Sequence, residues 1–201
     1  MRFQHAALLA APNEEGPHVF ARLILRRHSP RRLRWVLRLY PPFLLARIRP
    51  DWIAPDFTSA HVRVRRSRLT RNLNGTTFGG AISAAVDPLH AVLLWQALVQ
   101  QGVSSRAWTK RSAVRFLAPA TKDLIWTIEL RAQDIAAARS ALERGEDYEE
   151  TFSSEARDTA GTLCAVAETT VVLRRVLGGA SARTDSKGAD TGSQRATEVT
   201  P

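Results

Sequence analysis

The spacing of large apolar residues predicts two helices in the first half of the chain. Within residues 31–49 these residues recur at steps of three and four, the period of a helix with one apolar face: Leu33, Val36, Leu37, Tyr40, Leu44 and Ile48. Pro41 and Pro42 must kink or split this helix, because each proline removes a backbone donor. Residues 79–101 are apolar on nearly every side, so this second helix has to be enclosed by the rest of the protein.

Alternating apolar and polar residues predict strands on both sides of the enclosed helix. A further helix over residues 134–144, with Asp134 as its cap, interrupts the strands, and Asp158-Thr-Ala-Gly161 predicts a hairpin turn. The predicted strands cover residues 60–70, 112–117, 124–131, about 148–158 and 162–174. One buried helix followed by four of these strands predicts an α+β fold, in which an antiparallel sheet wraps around a long central helix.

Charge and composition divide the chain into three parts. Of the formal charge of +10, residues 1–71 carry +11, from 15 basic and 4 acidic residues, whereas residues 72–201 carry −1. We predict a basic, loosely ordered segment over residues 1–30, one domain over residues 31–177 and a disordered tail over residues 178–201. The single cysteine, Cys164, excludes an internal disulfide and a cysteine-built zinc site and fits a reducing compartment, so we expect a cytoplasmic protein. No other metal-ligand spacing occurs in the sequence, so we expect no metal.

The segment from Asn72 to Asp87 holds the most specific motif in the chain. Five residues fall at the spacing Asn, two residues, Gly, two residues, X-Gly-Gly, six residues, Asp: Asn72, Gly75, Gly79, Gly80 and Asp87. This spacing resembles that of the hotdog-fold thioesterases of the phenylacetate-pathway type, in which X is histidine. Phe78 at that position and Pro88 after the aspartate depart from the pattern. The early Tyr-Pro-Pro helix and the helical insert at residues 134–144 look closer to an uncharacterised hotdog subfamily.

The resemblance implies a hotdog fold with an extra N-terminal helix and a thioesterase-like hydrolase that cleaves acyl-CoA without a cofactor. It also implies a homodimer or homotetramer, with the active site where two subunits meet. Thioester hydrolysis puts negative charge on the carbonyl oxygen, and backbone N–H groups at a helix N-terminus can stabilise that charge. We therefore expect Gly79 and Gly80 to form the oxyanion site, Asp87 to act as general base or nucleophile, and Asn72 to assist them.

Further polar residues are candidates for substrate binding. Ser83, Asp87 and His90 stand at i, i+4 and i+7, so they share one stripe of an otherwise apolar helix. We count as substrate-binding candidates Gly75, Thr77, Phe78, Ser83 and His90. Candidates to meet the phosphates of coenzyme A are Lys110, Arg111 and Arg115, and candidates to line or plug an acyl tunnel are Trp95, Trp108 and Trp126.

Each of these assignments has a structural alternative. The glycine pair also suits tight helix–sheet packing, Asp87 followed by Pro88 also suits a helix N-cap, and a histidine such as His90 is often structural. The whole protein has alternatives as well. One is a non-catalytic module that binds acyl thioesters or fatty acyl groups, which Phe78 favours. Another places the function in the arginine-rich residues 22–49, as an element that binds a membrane surface or nucleic acid.

Overall fold

The predicted patterns become five helices and six strands within residues 26–175, the part of the chain that this computed structural model describes. The helices are α1 (Pro30–Leu39), α2 (Pro41–Leu45), α3 (Gly79–Val86), α4 (Leu89–Gln100) and α5 (Ala132–Glu143). The strands are β1 (Ile48–Ile53), β2 (Ser59–Val64), β3 (Ser105–Phe116), β4 (Leu124–Glu129), β5 (Tyr148–Asp158) and β6 (Leu163–Arg175). The predicted tail at 178–201 and all but the last residues of the segment 1–30 lie outside the described residues.

All six strands join one antiparallel sheet in the order β1-β2-β4-β5-β6-β3. The four strands predicted after the central helix are all present, and the sheet covers that helix on one side. The α+β architecture predicted from the sequence, with its central helix and an extra N-terminal helix, is therefore confirmed.

The prediction of a helix as far as residue 49 is wrong, because residues 48–53 form the edge strand β1. The chain leaves the helical conformation at Arg47, whose φ of 57° lies in the left-handed region. Pro50 then fits an edge strand, where its missing N–H faces no neighbouring strand. The apolar residue Ile48, which extended the helical period, is buried as the first residue of β1 instead.

The N-terminal helices cover the edge of the sheet at β1. Ser29 caps α1 by accepting a hydrogen bond from the N–H of Arg32 at 3.3 Å, and the break between α1 and α2 falls at Tyr40, before the two prolines. The guanidinium groups of Arg34 and Arg38 donate to the carbonyl oxygens of Asp51 and Pro50, both at 3.0 Å. These arginines thus satisfy acceptors of β1 that no further strand reaches.

The central helix bends at Asp87 and Pro88, which separate α3 from α4. Pro88 has no N–H to donate, which explains the interruption. The span Gly79–Gln100 is long enough to cross a membrane, and an 18-residue window within it has a mean hydropathy of 1.4. Of that window 67% is buried inside the protein, as for a core helix. Trp126 of β4 is fully buried and donates from Nε1 to the carbonyl oxygen of Ile82 at 3.1 Å, which fixes α3 on the sheet.

The predicted interlude between β4 and β5 is α5, but its cap lies one turn earlier than the sequence suggested. Arg131 is the N-cap residue, and Asp134 stands at the third helical position. The Asp134 carboxylate accepts from the backbone N–H and from the guanidinium of Arg131, at 3.1, 2.9 and 2.8 Å. The guanidinium lowers the pKa of Asp134. The hairpin turn at Asp158–Gly161 is confirmed, with a φ of 87° at Gly161.

Candidate active site

Asn72 organises the loop that leads into α3. Its Oδ1 accepts hydrogen bonds from the N–H groups of Asn74 and Thr76, at 3.0 and 3.1 Å, and its Nδ2 donates to the Thr76 hydroxyl at 2.8 Å. Gly75 supplies the positive φ of 76° that closes this turn. Thr77 is buried and bonds twice to the carbonyl oxygen of Ala120. The amide of Asn72 and the hydroxyl of Thr77 are thus engaged by other groups of the same chain.

The helix α3 begins with Gly79 and Gly80 beside two exposed phenylalanines. The first hydrogen bonds of the helix run from Ala81 to Phe78, and within residues 26–175 the N–H groups of Gly79 and Gly80 have no acceptor. A Cβ on Gly79 would lie 3.0 Å from the ring of Phe116. A Cβ on Gly80 would lie 2.3 Å from the ring of Phe78, so this ring folds over the first turn of the helix.

Asp87 lies at a groove between α4 and β3. The groove has a volume of about 200 Å³, and it is lined by Asp87, Pro88, Ala91, Val92, Trp95, Ala107, Trp108 and Thr109. Asp87 is exposed to solvent and shares this groove with mostly apolar residues. Partial burial raises the pKa of Asp87, and its carboxylate accepts no hydrogen bond from the described residues. The interpretation of Asp87 as the N-cap of α4 is wrong, because Pro88 holds that position and no side chain caps the helix.

The predicted stripe of Ser83, Asp87 and His90 occupies three different environments. Ser83 is half-buried, Asp87 is exposed, and His90 is completely buried against the sheet. The His90 ring stacks on Phe152 with a centroid distance of 5.1 Å, and neither ring nitrogen has a hydrogen-bond partner among the described residues. Burial lowers the pKa of His90 to about 4. The bend at Pro88 and the closeness of the sheet thus separate His90 from the groove.

The sequence did not predict Thr109 as a residue of the groove, and it placed Trp126 there wrongly. Thr109 was not a candidate, yet its hydroxyl donates to the carbonyl oxygen of Asp87 at 2.6 Å and ties β3 to the bend. The indole Nε1 of Trp95 donates to Ser105 O at 2.8 Å. Of the three tryptophans expected at an acyl tunnel, Trp95 and Trp108 line this groove, whereas Trp126 lies beneath α3. No periodic signal could have found Thr109, because its contact with Asp87 spans 22 positions.

Few of the predicted cations are available for a phosphate near the groove. Lys110 pairs with Glu149 at 2.8 Å and Arg111 with Glu168 at 3.7 Å. Arg115 is exposed and pairs with no carboxylate in the described part of the chain. In that same part, no three His, Cys, Asp or Glu side chains come together as metal ligands. The features available for chemistry at this site are therefore the carboxylate of Asp87, the N–H groups of Gly79 and Gly80, and the apolar groove.

Comparison with known protein families identifies the family of this chain. The model of a domain of unknown function, DUF4442, matches residues 31–173. The chain belongs to the DUF4442 family. The prediction of an uncharacterised hotdog subfamily is thereby confirmed. No functionally curated protein matches this DUF4442 chain.

Solved structures share the fold of this DUF4442 domain at low sequence identity. A probable thioesterase of unknown function, PA5026 from Pseudomonas aeruginosa, matches at 19% identity and a TM-score of 0.64, over 71% of this chain and 93% of its own. A putative thioesterase from Shewanella oneidensis matches at 20% identity and a TM-score of 0.58, over 71% of this chain and 94% of its own. The thioesterase HI1161 from Haemophilus influenzae matches at 12% identity and a TM-score of 0.57, over 78% of this chain and 97% of its own. These similarities show the hotdog fold.

Proposed function

We propose that this protein hydrolyses acyl thioesters, with acyl-CoA as the substrate class. The observation that carries the proposal is the Asp87 carboxylate, which has a raised pKa and no hydrogen-bond donor, at the mouth of an apolar groove. A carboxylate that stabilised the fold would be expected to pair with a donor, as Asp134 does with Arg131. An unpaired carboxylate at a groove is free to take a proton from water.

In the proposed reaction, Asp87 removes a proton from a water molecule as its oxygen attacks the thioester carbonyl carbon. The carbonyl oxygen becomes negative and accepts hydrogen bonds from the N–H groups of Gly79 and Gly80. The C–S bond then breaks, the thiolate leaves and takes up the proton, and the acyl group leaves as a carboxylic acid. The apolar groove holds the acyl chain beside Asp87.

The two halves of this site belong to different protomers in our proposal. Gly79 and Asp87 are eight residues apart, which corresponds to about 12 Å along a helix, so one carbonyl group cannot reach both in the same protomer. The strand β3 is 12 residues long and pairs only with β6 in the described part of the chain. Its free edge suits antiparallel pairing with β3 of a second copy.

The positions along β3 suggest how the halves meet. Phe116 lies beside Gly79, and Thr109 is bonded to Asp87. In an antiparallel pair of β3 strands with its two-fold axis between Ser112 and Ala113, residue 109 of one protomer lies opposite residue 116 of the other. This register brings Asp87 of one protomer towards Gly79 of the partner subunit. A homodimer with two such sites is therefore part of the proposal.

The test is the release of free thiol from a panel of acyl-CoA substrates of different lengths, including aromatic ones. We expect turnover by the wild type and loss of turnover in Asp87→Asn, because an amide cannot take a proton from water. The matched control is Asp56→Asn, which changes an exposed aspartate in the turn between β1 and β2, at the other end of the sheet from β3. Retained turnover in Asp87→Asn removes Asp87 from the mechanism.

A second candidate function is a module that binds acyl thioesters without cleaving them. The position of the Phe78 ring favours it, since the ring folds over the backbone at Gly80, where an oxyanion would have to bind. This candidate predicts no thiol release by the wild type, together with an increase in thermal stability on addition of the same acyl-CoA panel. Turnover that disappears in Asp87→Asn would exclude it.

A further inference from the structure

The outer surface of the N-terminal helices combines positive charge with exposed apolar side chains. Residues 26–50 contain eight arginines and no acidic residue. Four large apolar side chains on α1 and α2 are between 56% and 75% exposed: Trp35, Leu39, Leu44 and Leu45. We call these four residues, with the exposed Arg31, Arg32 and Arg49 beside them, the α1–α2 surface.

This surface is not needed to hold the helices on the sheet. Leu33, Val36 and Leu37 make the buried contact of α1. Arg34 and Arg38 hold β1 through its carbonyl oxygens. The four exposed apolar residues lie on the other side of the helices. They leave apolar area in water, which costs about 25 cal/mol per Å², and the fold gains nothing from it.

The positive charge of the surface has little compensation. Asp51, the first acidic residue after α2, is already paired with Arg63 at 2.7 Å and lies 4.0 Å from Arg38. Burial, followed by the charges of Arg49 and Arg34, lowers the pKa of Arg38. The surface therefore has an uncompensated positive potential, which attracts an anionic partner.

A groove that shares Arg31 with this surface adds a place for a phosphate group. It has a volume of about 710 Å³ and is lined by residues from the start of α1 and the end of β1: Ser29, Pro30, Arg31, Arg34, Trp52, Ile53 and Pro55. The Nε of Arg34 is buried and has no acceptor among the described residues. A buried guanidinium N–H in a groove with a second arginine and a half-exposed tryptophan matches the chemistry of a phosphodiester attached to an apolar chain.

From these observations we propose that the α1–α2 surface docks the protein on an anionic lipid membrane. The arginines contact lipid phosphates, and Trp35, Leu39, Leu44 and Leu45 enter the boundary between headgroups and acyl chains. A nucleic acid would satisfy the arginines but would leave three leucines in water. A second copy of the same surface would bring arginines against arginines, because a two-fold contact pairs a patch with itself.

The proposal is tested by flotation of the full-length protein with vesicles. One set of vesicles is phosphatidylcholine alone, and the other is phosphatidylcholine mixed with phosphatidylglycerol. We expect binding to the mixed vesicles, little binding to the neutral ones, and weaker binding as salt is raised. Equal binding to both sets, or none to the mixed set, would overturn the proposal. So would tight binding to duplex DNA by a protein that ignores the mixed vesicles.

Two classes of variant separate charge from insertion. Replacing Arg31, Arg32 and Arg49 by glutamine should weaken binding to the mixed vesicles by roughly a hundredfold, since each basic residue near an anionic surface contributes about fivefold. The control replaces Arg139 on α5 and Arg144 directly after it by glutamine, and should bind as the wild type, because α5 packs on β5 and β6.

The second class removes the apolar anchors. The variant Leu44→Ser with Leu45→Ser should reduce binding at high salt most, because insertion is the part that salt does not screen. Both leucines are exposed, so the free energy of unfolding should stay within about 0.5 kcal/mol of the wild type. Unchanged binding in both classes would assign the membrane contact to another part of the molecule and refute the α1–α2 surface.

Discussion

Acidification should destabilise this protein through His90, whose ring is enclosed between α4 and β5. The ring is fully buried, and burial lowers its pKa from 6.5 to about 4. In the unfolded chain the imidazole takes up a proton as the pH falls through 6.5, whereas the folded protein resists this until about 4. The stabilising effect of a neutral His90 is therefore present above the unfolded pKa and is lost as the pH falls towards the folded pKa.

The magnitude follows from the difference between the two pKa values. Between pH 7 and pH 5, His90 binds a proton in the unfolded state but not in the folded state. This difference lowers the free energy of unfolding by about 2 kcal/mol. For a protein of this size that corresponds to a decrease in Tm of roughly 4–8 °C. Other carboxylates titrate over the same range, so the contribution of His90 has to be isolated by substitution.

The assay is denaturant unfolding of the wild type and His90→Leu at pH 7 and pH 5. Leucine keeps an apolar side chain of similar size at the site and does not titrate. Between the two pH values, the free energy of unfolding of the variant should decrease by about 2 kcal/mol less than that of the wild type. The control is His61→Leu, at an exposed histidine on β2. An equal loss in the wild type and His90→Leu would refute the reasoning, because His90 would then not resist protonation in the folded state.

Three smaller predictions concern the candidate site. Gly80→Ala should lower the free energy of unfolding by less than about 1 kcal/mol, because the exposed ring of Phe78 can swing away from the new Cβ. Adding Phe78→Ala should restore the wild-type value. A decrease above about 3 kcal/mol in denaturant unfolding would contradict this. Asn72→Ala removes three hydrogen bonds of the loop and should cost about 2 kcal/mol, with faster hydrogen exchange at the N–H of Thr76; unchanged exchange would show that the loop needs no such support. The raised pKa of Asp87 predicts that kcat/KM increases with pH over a range above that of an ordinary aspartate; a pH-independent kcat/KM would contradict a base at this position.

The sequence predicted best those elements whose own pattern determines their environment. The enclosed central helix and strands β4, β5 and β6 alternate or repeat cleanly because one face of each is buried by the sheet and the helix. Strand β1 was not predicted, because Ile48 continues the helical period of the sequence, whereas the positive φ of Arg47 ends the helix in the structure. The first half of β3 was not predicted; the strand lies at the edge of the sheet, and its burial does not alternate along its length.

The candidate site divides in the same way. The spacing of Gly79, Gly80 and Asp87 is local, so the sequence carries it. The surroundings of Asp87 come from Trp108 and Thr109, more than twenty positions away, and no local pattern reports such contacts. His90 was placed with Asp87 by helical spacing, but the structure turns its ring towards Phe152. Local spacing therefore predicted the candidate chemistry, and tertiary packing decides which groups can take part.

The claim that one site is shared by two protomers can be tested by mixing two inactive variants. Asp87→Asn removes the base. Gly79→Pro removes one oxyanion donor, at the first helical position, where proline is tolerated and where the ψ of 127° at Phe78 suits a following proline. A Cβ at position 79 needs only a small shift of the exposed Phe116 ring. Each variant alone should lose on the order of a hundredfold or more in kcat.

The decisive measurement is thiol release from acyl-CoA after the two variants are co-expressed. Half of the randomly assembled dimers are then mixed, and each mixed dimer contains one intact site, so the mixture should recover roughly a quarter of the wild-type activity. A mixture no more active than either variant alone would contradict a site shared between protomers.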